Sequence, residues 1–173
     1  FGSIANYAYH LDAGKLSVFL QKHCCEKLGV THVLAEVESV LGDEDGDITG
    51  VRTDRCGIIE GDLFVDCTGF RSLLLGEHYQ VPFKDCSDTL QIDTALAMQV
   101  PYQAADTPIA CHTISTAQTA GWIWDIGLRE RRGIGHVFSS RHISTDEAAH
   151  QLKTYIGPPA DQLTAREIKI RSG

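Results

Sequence analysis

Two short stretches of the sequence contain residues suited to binding or enclosing a ligand. In the first, an apolar run over residues 63–65 leads through Asp66 and Cys67 to Thr68 and Gly69. In an open α/β sheet, ligands collect beyond the carboxyl ends of strands, where a glycine lets the backbone approach the ligand closely. The stretch therefore predicts a buried strand, most often in a parallel sheet, whose end at Thr68 and Gly69 meets a ligand. A glycine that merely turns the chain is an equally good interpretation of this pattern.

The second stretch, residues 121–128, holds both tryptophans of the chain, Trp122 and Trp124. Because side chains alternate between the two faces of a strand, residues two apart point to the same side. Two large flat side chains on one face can wall a cavity or fill a core. From the residues alone, core filling is the favoured interpretation.

Several other kinds of chemistry find no support in the sequence. The eight histidines and six cysteines show neither the helical metal-binding spacing nor a C-x-x-C pair, so we predict no metal site and no disulfide framework. Neither the G-x-S-x-G motif of hydrolases nor a G-x-G-x-x-G phosphate cradle is present. A formal net charge of −8 argues against nucleic acid or an anionic membrane as a partner. The cysteine usage favours a reducing, cytoplasmic location.

The elements that would position these stretches are predicted from hydrophobic spacing. After an extended segment over residues 1–11, a helix starts at Asp12 and stops at Gly29, and a second helix starts at Ser144 and runs to about residue 156. Residues 69–75 contain the start of a short helix. Strands are predicted at 30–41, 48–52, 58–60, 63–66, 94–100, 111–116, 122–128, 134–140 and 165–170. The fold class is α/β (α+β). Because the sequence begins without an initiator Met, we expect a piece of a larger protein.

Four segments resemble, in order and spacing, the flavin-dependent halogenase family, and within it the tryptophan-halogenase-like branch. They are YAYHLDA at residues 7–13, VLAEV at 33–37, GDLFVDCTGFR at 61–71 and GWIWDI at 121–126. The last segment matches the W-x-W-x-I-P signature of the family through Ile126, whereas Gly127 stands where the family has Pro. The resemblance covers about residues 5–170. The replaced Pro bears on substrate and subgroup more than on family.

The resemblance implies a fragment of an FAD/NAD(P)-binding flavin monooxygenase-like fold, in which parallel strands are combined with an antiparallel substrate-side sheet. Residues 1–90 would form part of the FAD-binding domain, and residues 91–173 the antiparallel sheet with its capping helix, both incomplete. The phosphate-cradling loop and the catalytic lysine would lie upstream of this chain. The catalytic glutamate would lie downstream, so no catalytic residue is expected in these 173 residues.

Two groups of site residues follow from the resemblance. FAD would be contacted by Val37, Thr68 and Gly69, and the wall of a tunnel would be formed by Trp122, Trp124 and Ile126. For Val37, at the adenine end of FAD, the alternative is an ordinary buried strand position. The wall would keep the arene away from the flavin, where simple hydroxylation would compete.

The implied function is FAD-dependent chlorination or bromination of tryptophan, indole or another electron-rich arene. Reduced FAD, supplied by a separate flavin reductase, would react with O2 to a flavin hydroperoxide, which a halide ion attacks to give hypohalous acid. The expected partners are that reductase, transiently, and a small aromatic substrate, and a homodimer is a further candidate assembly that the sequence does not decide. Two alternatives remain: a flavin monooxygenase or reductase of the same superfamily that does not halogenate, or a catalytically incomplete piece that binds at most part of FAD.

Overall fold

The structure, a computed structural model, describes residues 8–173. Residues 1–7, which hold most of the predicted extended segment and Tyr7 of the first family segment, lie outside the described residues. The chain divides into two compact units. One unit joins the described residues up to Leu16 with Asp85–Gly173, and the other is Ser17–Lys84. Among the described residues, no helix combines the length and the apolar character needed to cross a membrane.

The first helix, α1, spans Ala13–Leu28 and is capped as predicted. Asp12 Oδ1 accepts hydrogen bonds from the backbone N–H groups of Gly14 and Lys15, at 3.1 and 3.2 Å. These bonds satisfy donors that have no partner within the first helical turn. Gly29, with φ +70°, follows the last helical residue. No side chain of α1 is buried among the described residues.

A three-stranded antiparallel meander follows α1 in the unit 17–84. Its strands are β1 (Val37–Gly42), β2 (Ile48–Thr53) and β3 (Gly57–Glu60), paired in the order β1-β2-β3. The predicted strands at 48–52 and 58–60 are confirmed. The predicted strand over 30–41 is only partly right, because residues 30–36 form no strand. Leu34 is exposed there, and an apolar strand needs a neighbour to cover it and to accept its hydrogen bonds.

The predicted buried strand over residues 63–66 is wrong for this chain. Leu63 is 84% exposed and Val65 is 77% exposed, and the segment belongs to neither sheet. The physical reason is the lack of a paired strand. All strand pairs among residues 8–173 are antiparallel, and the predicted parallel strands are not seen.

The second unit is built on a five-stranded antiparallel sheet. Its strands are β4 (Thr94–Pro101), β5 (Ile114–Gln118), β6 (Gly121–Gly127), β7 (Arg131–Phe138) and β8 (Arg166–Lys169), in the order β5-β6-β7-β4-β8. The antiparallel sheet is confirmed, with boundaries shifted by one to three residues at most strand ends. Strands β6 and β7 form a hairpin whose turn is shorter than the predicted gap over residues 129–133, since the N–H of Leu128 donates to the carbonyl of Arg131 at 2.9 Å.

A second helix, α2 (Thr145–Ile156), covers one face of this sheet. Ser144 Oγ accepts from the N–H of Glu147 at 3.1 Å, which confirms the predicted N-cap. The core between helix and sheet consists of fully or nearly fully buried apolar side chains. They include Leu96, Met98, Val100, Ile123, Ile134, Phe138, Ala148, Leu152 and Ile156. The Trp122 side of β6 lies on the face opposite Ile123.

Candidate functional site

The turn at Thr68 and Gly69 is organised by the carboxylate of Asp66. Asp66 Oδ1 accepts from the N–H and the hydroxyl of Thr68, at 3.0 and 2.6 Å, and Oδ2 accepts from the N–H of Leu74 at 2.8 Å. Thr68 Oγ1 in turn accepts from the N–H of Leu73 at 2.9 Å. These bonds, led by the one from the Thr68 hydroxyl, lower the pKa of Asp66 to about 2. The turn is therefore held in one conformation by an ionised side chain.

Gly69 presents an open stretch of backbone within this turn. Its φ is +64°, a conformation that glycine adopts without strain. A Cβ built at Gly69 would meet no other atom within 4 Å, and Thr68 and Gly69 are both exposed. A flat ligand could therefore approach the main chain here, which fits the cofactor contact that the sequence predicts.

Val37, the third predicted FAD residue, lies half-buried at the start of β1. A link between this strand and the turn comes from Arg71. Its pKa is raised by its hydrogen bond and charge interaction with Glu77, and further by the charge of Glu36. Glu36 precedes Val37 and Arg71 follows Gly69 by two residues, so the start of β1 and the turn lie within electrostatic range.

The two tryptophans lie side by side on one face of β6. Trp122, Trp124 and Ile126 alternate with the buried residues of the strand, so the prediction of a shared face is confirmed. The indole centroids are 6.4 Å apart with the rings at 65°, an edge-to-face arrangement. Trp122 is 40% exposed, so the core-filling interpretation is wrong for it within this chain. Together the three side chains form an apolar surface on this face of the sheet.

Gly135, which was not predicted from the sequence, leaves the space that the Trp124 indole occupies. The two residues are paired across β6 and β7. A Cβ at Gly135 would overlap the Trp124 indole and would lie 2.6 Å from the carbonyl oxygen of Leu96. The available signal was a glycine inside a predicted strand, which often marks a close approach.

A buried polar cluster on the opposite face of β6 was also missed. Asp125, 3% exposed, accepts from Arg132 Nε at 3.1 Å and from Arg132 Nη2. The hydroxyl of Tyr155 donates to Asp125 Oδ2 at 3.0 Å. Asp125 raises the pKa of Arg132, and burial together with the bond to Asp125 raises the pKa of Tyr155. The cluster therefore holds a charged guanidinium and a protonated phenol. An acid inside an apolar strand was the signal for it.

The described residues include no group of three or more His, Cys, Asp or Glu side chains arranged to hold a metal ion. The two sites consist of an exposed backbone turn in one unit and an apolar indole surface in the other.

Comparison with known proteins identifies the family. The tryptophan halogenase family model matches residues 1–173, and the chain belongs to this family. It is 44% identical over 167 residues to the 7-chloro-L-tryptophan 6-halogenase KtzR of Kutzneria sp. (strain 744), covering 96% of this chain. A tryptophan halogenase structure from Shewanella frigidimarina NCIMB 400 matches with a TM-score of 0.88 and 49% identity, over 93% of this chain and 31% of that one.

A third match names the flavin explicitly. Tar14, a tryptophan C-6 flavin-dependent halogenase (chlorinase) from taromycin biosynthesis, is similar with a TM-score of 0.90 and 42% identity, over 95% of this chain and 32% of that one. The match to KtzR likewise covers 32% of that relative. The chain thus spans about a third of the length of the relatives it matches.

Proposed function

We propose that the protein containing this chain is an FAD-dependent halogenase that chlorinates or brominates tryptophan, indole or another electron-rich arene. The observation that carries the proposal is the family match across all 173 residues. The relatives KtzR and Tar14 are tryptophan halogenases by name, and Tar14 is flavin-dependent. Tryptophan is accordingly the first substrate to test.

Residues 1–90 are proposed to belong to an FAD-binding domain of the flavin monooxygenase-like kind. Val37, Thr68 and Gly69 would contact FAD, and the accessible backbone at Gly69 supports that role. The apolar side chains of Leu63 and Val65 support the further proposal of a parallel strand here in the longer protein. A neighbouring strand and a covering layer would bury them and pair their backbone groups.

Residues 91–173 are proposed to form the substrate-side sheet, with Trp122, Trp124 and Ile126 walling a tunnel. When bound, reduced FAD with O2 supplies the oxidising equivalent that converts a halide ion to hypohalous acid. The edge-to-face indole pair would separate the arene from the flavin and exclude bulk water. The catalytic lysine and glutamate are proposed to lie outside this chain. A transient flavin reductase and a second copy of the protein are the proposed partners.

The direct test is product analysis with the full-length protein, FAD, a flavin reductase, and chloride or bromide. With tryptophan and indole as substrates, we expect a product heavier by one halogen in exchange for one hydrogen. Omitting the halide is the control. Hydroxylated products without any halogenated one would reject the proposal in favour of a flavin monooxygenase that does not halogenate.

A matched pair of glycines tests the FAD contact. Gly69 and Gly57 have similar φ values, +64° and +72°, and a Cβ at either would meet no atom within 4 Å. Gly69→Ala and Gly57→Ala therefore carry a similar backbone strain. We expect Gly69→Ala to weaken FAD binding roughly tenfold, measured by flavin fluorescence titration, and Gly57→Ala to leave it unchanged. Equal affinities for the two variants would contradict the assignment of Gly69.

The proposed tunnel wall is tested by measuring how much halogenated tryptophan is formed for each O2 consumed. Trp124→Leu keeps an apolar side chain on β6 but removes the indole that packs on Gly135. We expect a lower ratio of halogenated tryptophan to O2 consumed, with FAD affinity unchanged. The control is Phe19→Leu, at an exposed position of α1 in the other unit. An unchanged ratio for Trp124→Leu would remove Trp124 from the wall.

A further inference from the structure

We propose that a hollow lined by Tyr102, Asp125, Gly127 and Arg132 binds a single aromatic ring that carries a hydrogen-bond acceptor, an aryl carboxylate being the best-matched class. The hollow lies within the unit that contains the five-stranded sheet. Its use as a binding site does not depend on halogenation and is tested without FAD or halide turnover.

The size of the hollow limits the ligand to one ring. Its volume is about 180 Å³. A cavity of about 150 Å³ is enough to hold benzene, whereas sites for drug-sized ligands start at about 300 Å³. The apolar part of the wall is supplied by Pro108, Ala110 and Ile114. A single ring therefore fits, and its faces would meet apolar side chains.

The polar part of the wall offers hydrogen-bond donors. The hydroxyl oxygen of Tyr102 is buried and has no hydrogen-bond partner among residues 8–173. Buried hydroxyl groups are seldom left unpaired in folded proteins, so this group points to a missing partner. Thr107 lines the same hollow.

Arg132 is the second donor. A guanidinium has five N–H groups, and the two bonds to Asp125 leave three for other partners. Asp125 is itself engaged by Arg132 and Tyr155, so its charge is compensated. A phenol and a guanidinium in one wall match an acceptor such as a carboxylate better than a donor.

Gly127 keeps the hollow open. This residue is buried at the end of β6, and a Cβ built on it would lie 3.3 Å from the Tyr102 hydroxyl oxygen and 2.8 Å from Cγ2 of Ile109. Any side chain at position 127 would therefore push on the segment that carries Tyr102 and Ile109. The glycine sets both the volume of the hollow and the position of its free hydroxyl.

The test is a titration of the full-length protein with benzoate, in which binding is measured by calorimetry or by saturation-transfer NMR. We expect saturable binding with one site, and weaker binding of toluene, which has the ring but no acceptor. Tyr102→Phe should weaken benzoate binding about tenfold and leave the melting temperature unchanged or higher, because it removes a hydroxyl without a protein partner. Gly127→Ala should weaken benzoate binding more than Tyr102→Phe does.

Gly133→Ala is the matched control, since a Cβ there would meet no atom within 4 Å, and it should bind benzoate as the parent does. Absence of saturable benzoate binding would overturn the proposal, as would a Tyr102→Phe variant with unchanged affinity. Toluene binding as tightly as benzoate would refute the role of the acceptor. Bromide is an anion without a ring. If bromide displaces benzoate completely at constant ionic strength, and if Tyr102→Phe weakens bromide binding as much as benzoate binding, the hollow does not require an aromatic ring. If Gly127→Ala fails to fold, Tyr102→Phe alone decides.

Discussion

The two units differ in how far their apolar side chains are buried. In the unit that contains the five-stranded sheet, Ile123, Ile134 and Phe138 are completely buried between the strands and α2. In the unit 17–84, Leu73 is the one buried large apolar side chain among the described residues, at 8% exposure, whereas Leu63 and Val65 are mostly exposed. Both regions have strand-like apolar patterns in the sequence. Such a pattern therefore predicts burial only where a second segment provides a partner surface.

The difference in burial between the two units predicts a difference in how substitutions change stability. Shortening a buried apolar side chain of the sheet unit should be costly because packing is lost, whereas shortening an exposed apolar side chain of the unit 17–84 should be nearly neutral.

Phe138→Ala should lower the free energy of unfolding by about 3–5 kcal/mol, because it leaves a cavity at a fully buried position. Phe70→Ala, at a position that is 63% exposed, should change it by less than about 0.5 kcal/mol. Urea denaturation followed by far-UV circular dichroism measures both. A comparable loss at Phe70 would show that the contrast between the units does not hold in solution.

Gly135→Ala should cost about 1–3 kcal/mol, because the new methyl group collides with Trp124 and with the carbonyl of Leu96. The near-UV circular dichroism of the tryptophans should change at the same time. Gly133→Ala, two residues earlier in β7 with open space around its Cβ, is the control and should leave this spectrum intact. Identical spectra for both variants would mean that Trp124 does not lie on Gly135.

Ser144→Ala should cost about 1 kcal/mol by removing the acceptor for the N–H of Glu147 at the start of α2. The matching change at the other helix is Asp12→Ala, which removes the cap of α1 and the ion pair of Asp12 with Arg131. Amide hydrogen exchange should locate the loss in the first turn of each helix. Unchanged protection at Glu147 would rule out the cap.

His136 should make stability depend on pH by a smaller amount. Its ring is fully buried, its Nδ1–H donates to the carbonyl of Ala148 at 3.1 Å, and burial lowers its pKa below 6.5. Below pH 6.5 His136 is therefore protonated in the unfolded chain while it stays neutral in the folded chain. The contribution of the neutral ring to the free energy of unfolding is complete above pH 6.5 and declines as the pH falls through the lowered pKa of the folded state.

The measurement is the free energy of unfolding between pH 5 and 7.5. His136→Leu should flatten its decline below pH 6.5, while the control His150→Leu, at an exposed position of α2, should keep the parental slope. Parallel pH curves for the parent and His136→Leu would show that His136 titrates normally in the folded state.

The smallest effect is expected at Asp66, in the unit without a closed core. NMR titration should give a pKa of about 2 for this carboxyl, and the order that it imposes on the turn should be lost as the pH falls from about 4 through that value. Asp66→Asn should reduce amide protection at Leu74, whereas Asp62→Asn, at a neighbouring exposed acid, should not. A pKa near 4 for Asp66 would contradict the hydrogen-bonded turn.

Local patterns in the sequence were sufficient for much of the fold. Four features depend on residues within a few positions of one another. They are the cap at Asp12, the meander, the hairpin after Trp124 and the cap at Ser144. Strand alternation alone placed Trp122 and Trp124 on one face. The resemblance of four segments was enough to predict the family.

The tertiary structure decided what depends on distant partners. The register of two strands put Gly135 beneath Trp124, and the packing of α2 on the sheet brought Tyr155 to Asp125, thirty positions earlier in the chain. Residues 63–66 showed the limit of the pattern, since an apolar run becomes a buried strand only when another strand pairs with it. Alternation and capping are short-range properties of one segment, whereas burial is a property of the surface that a second segment provides.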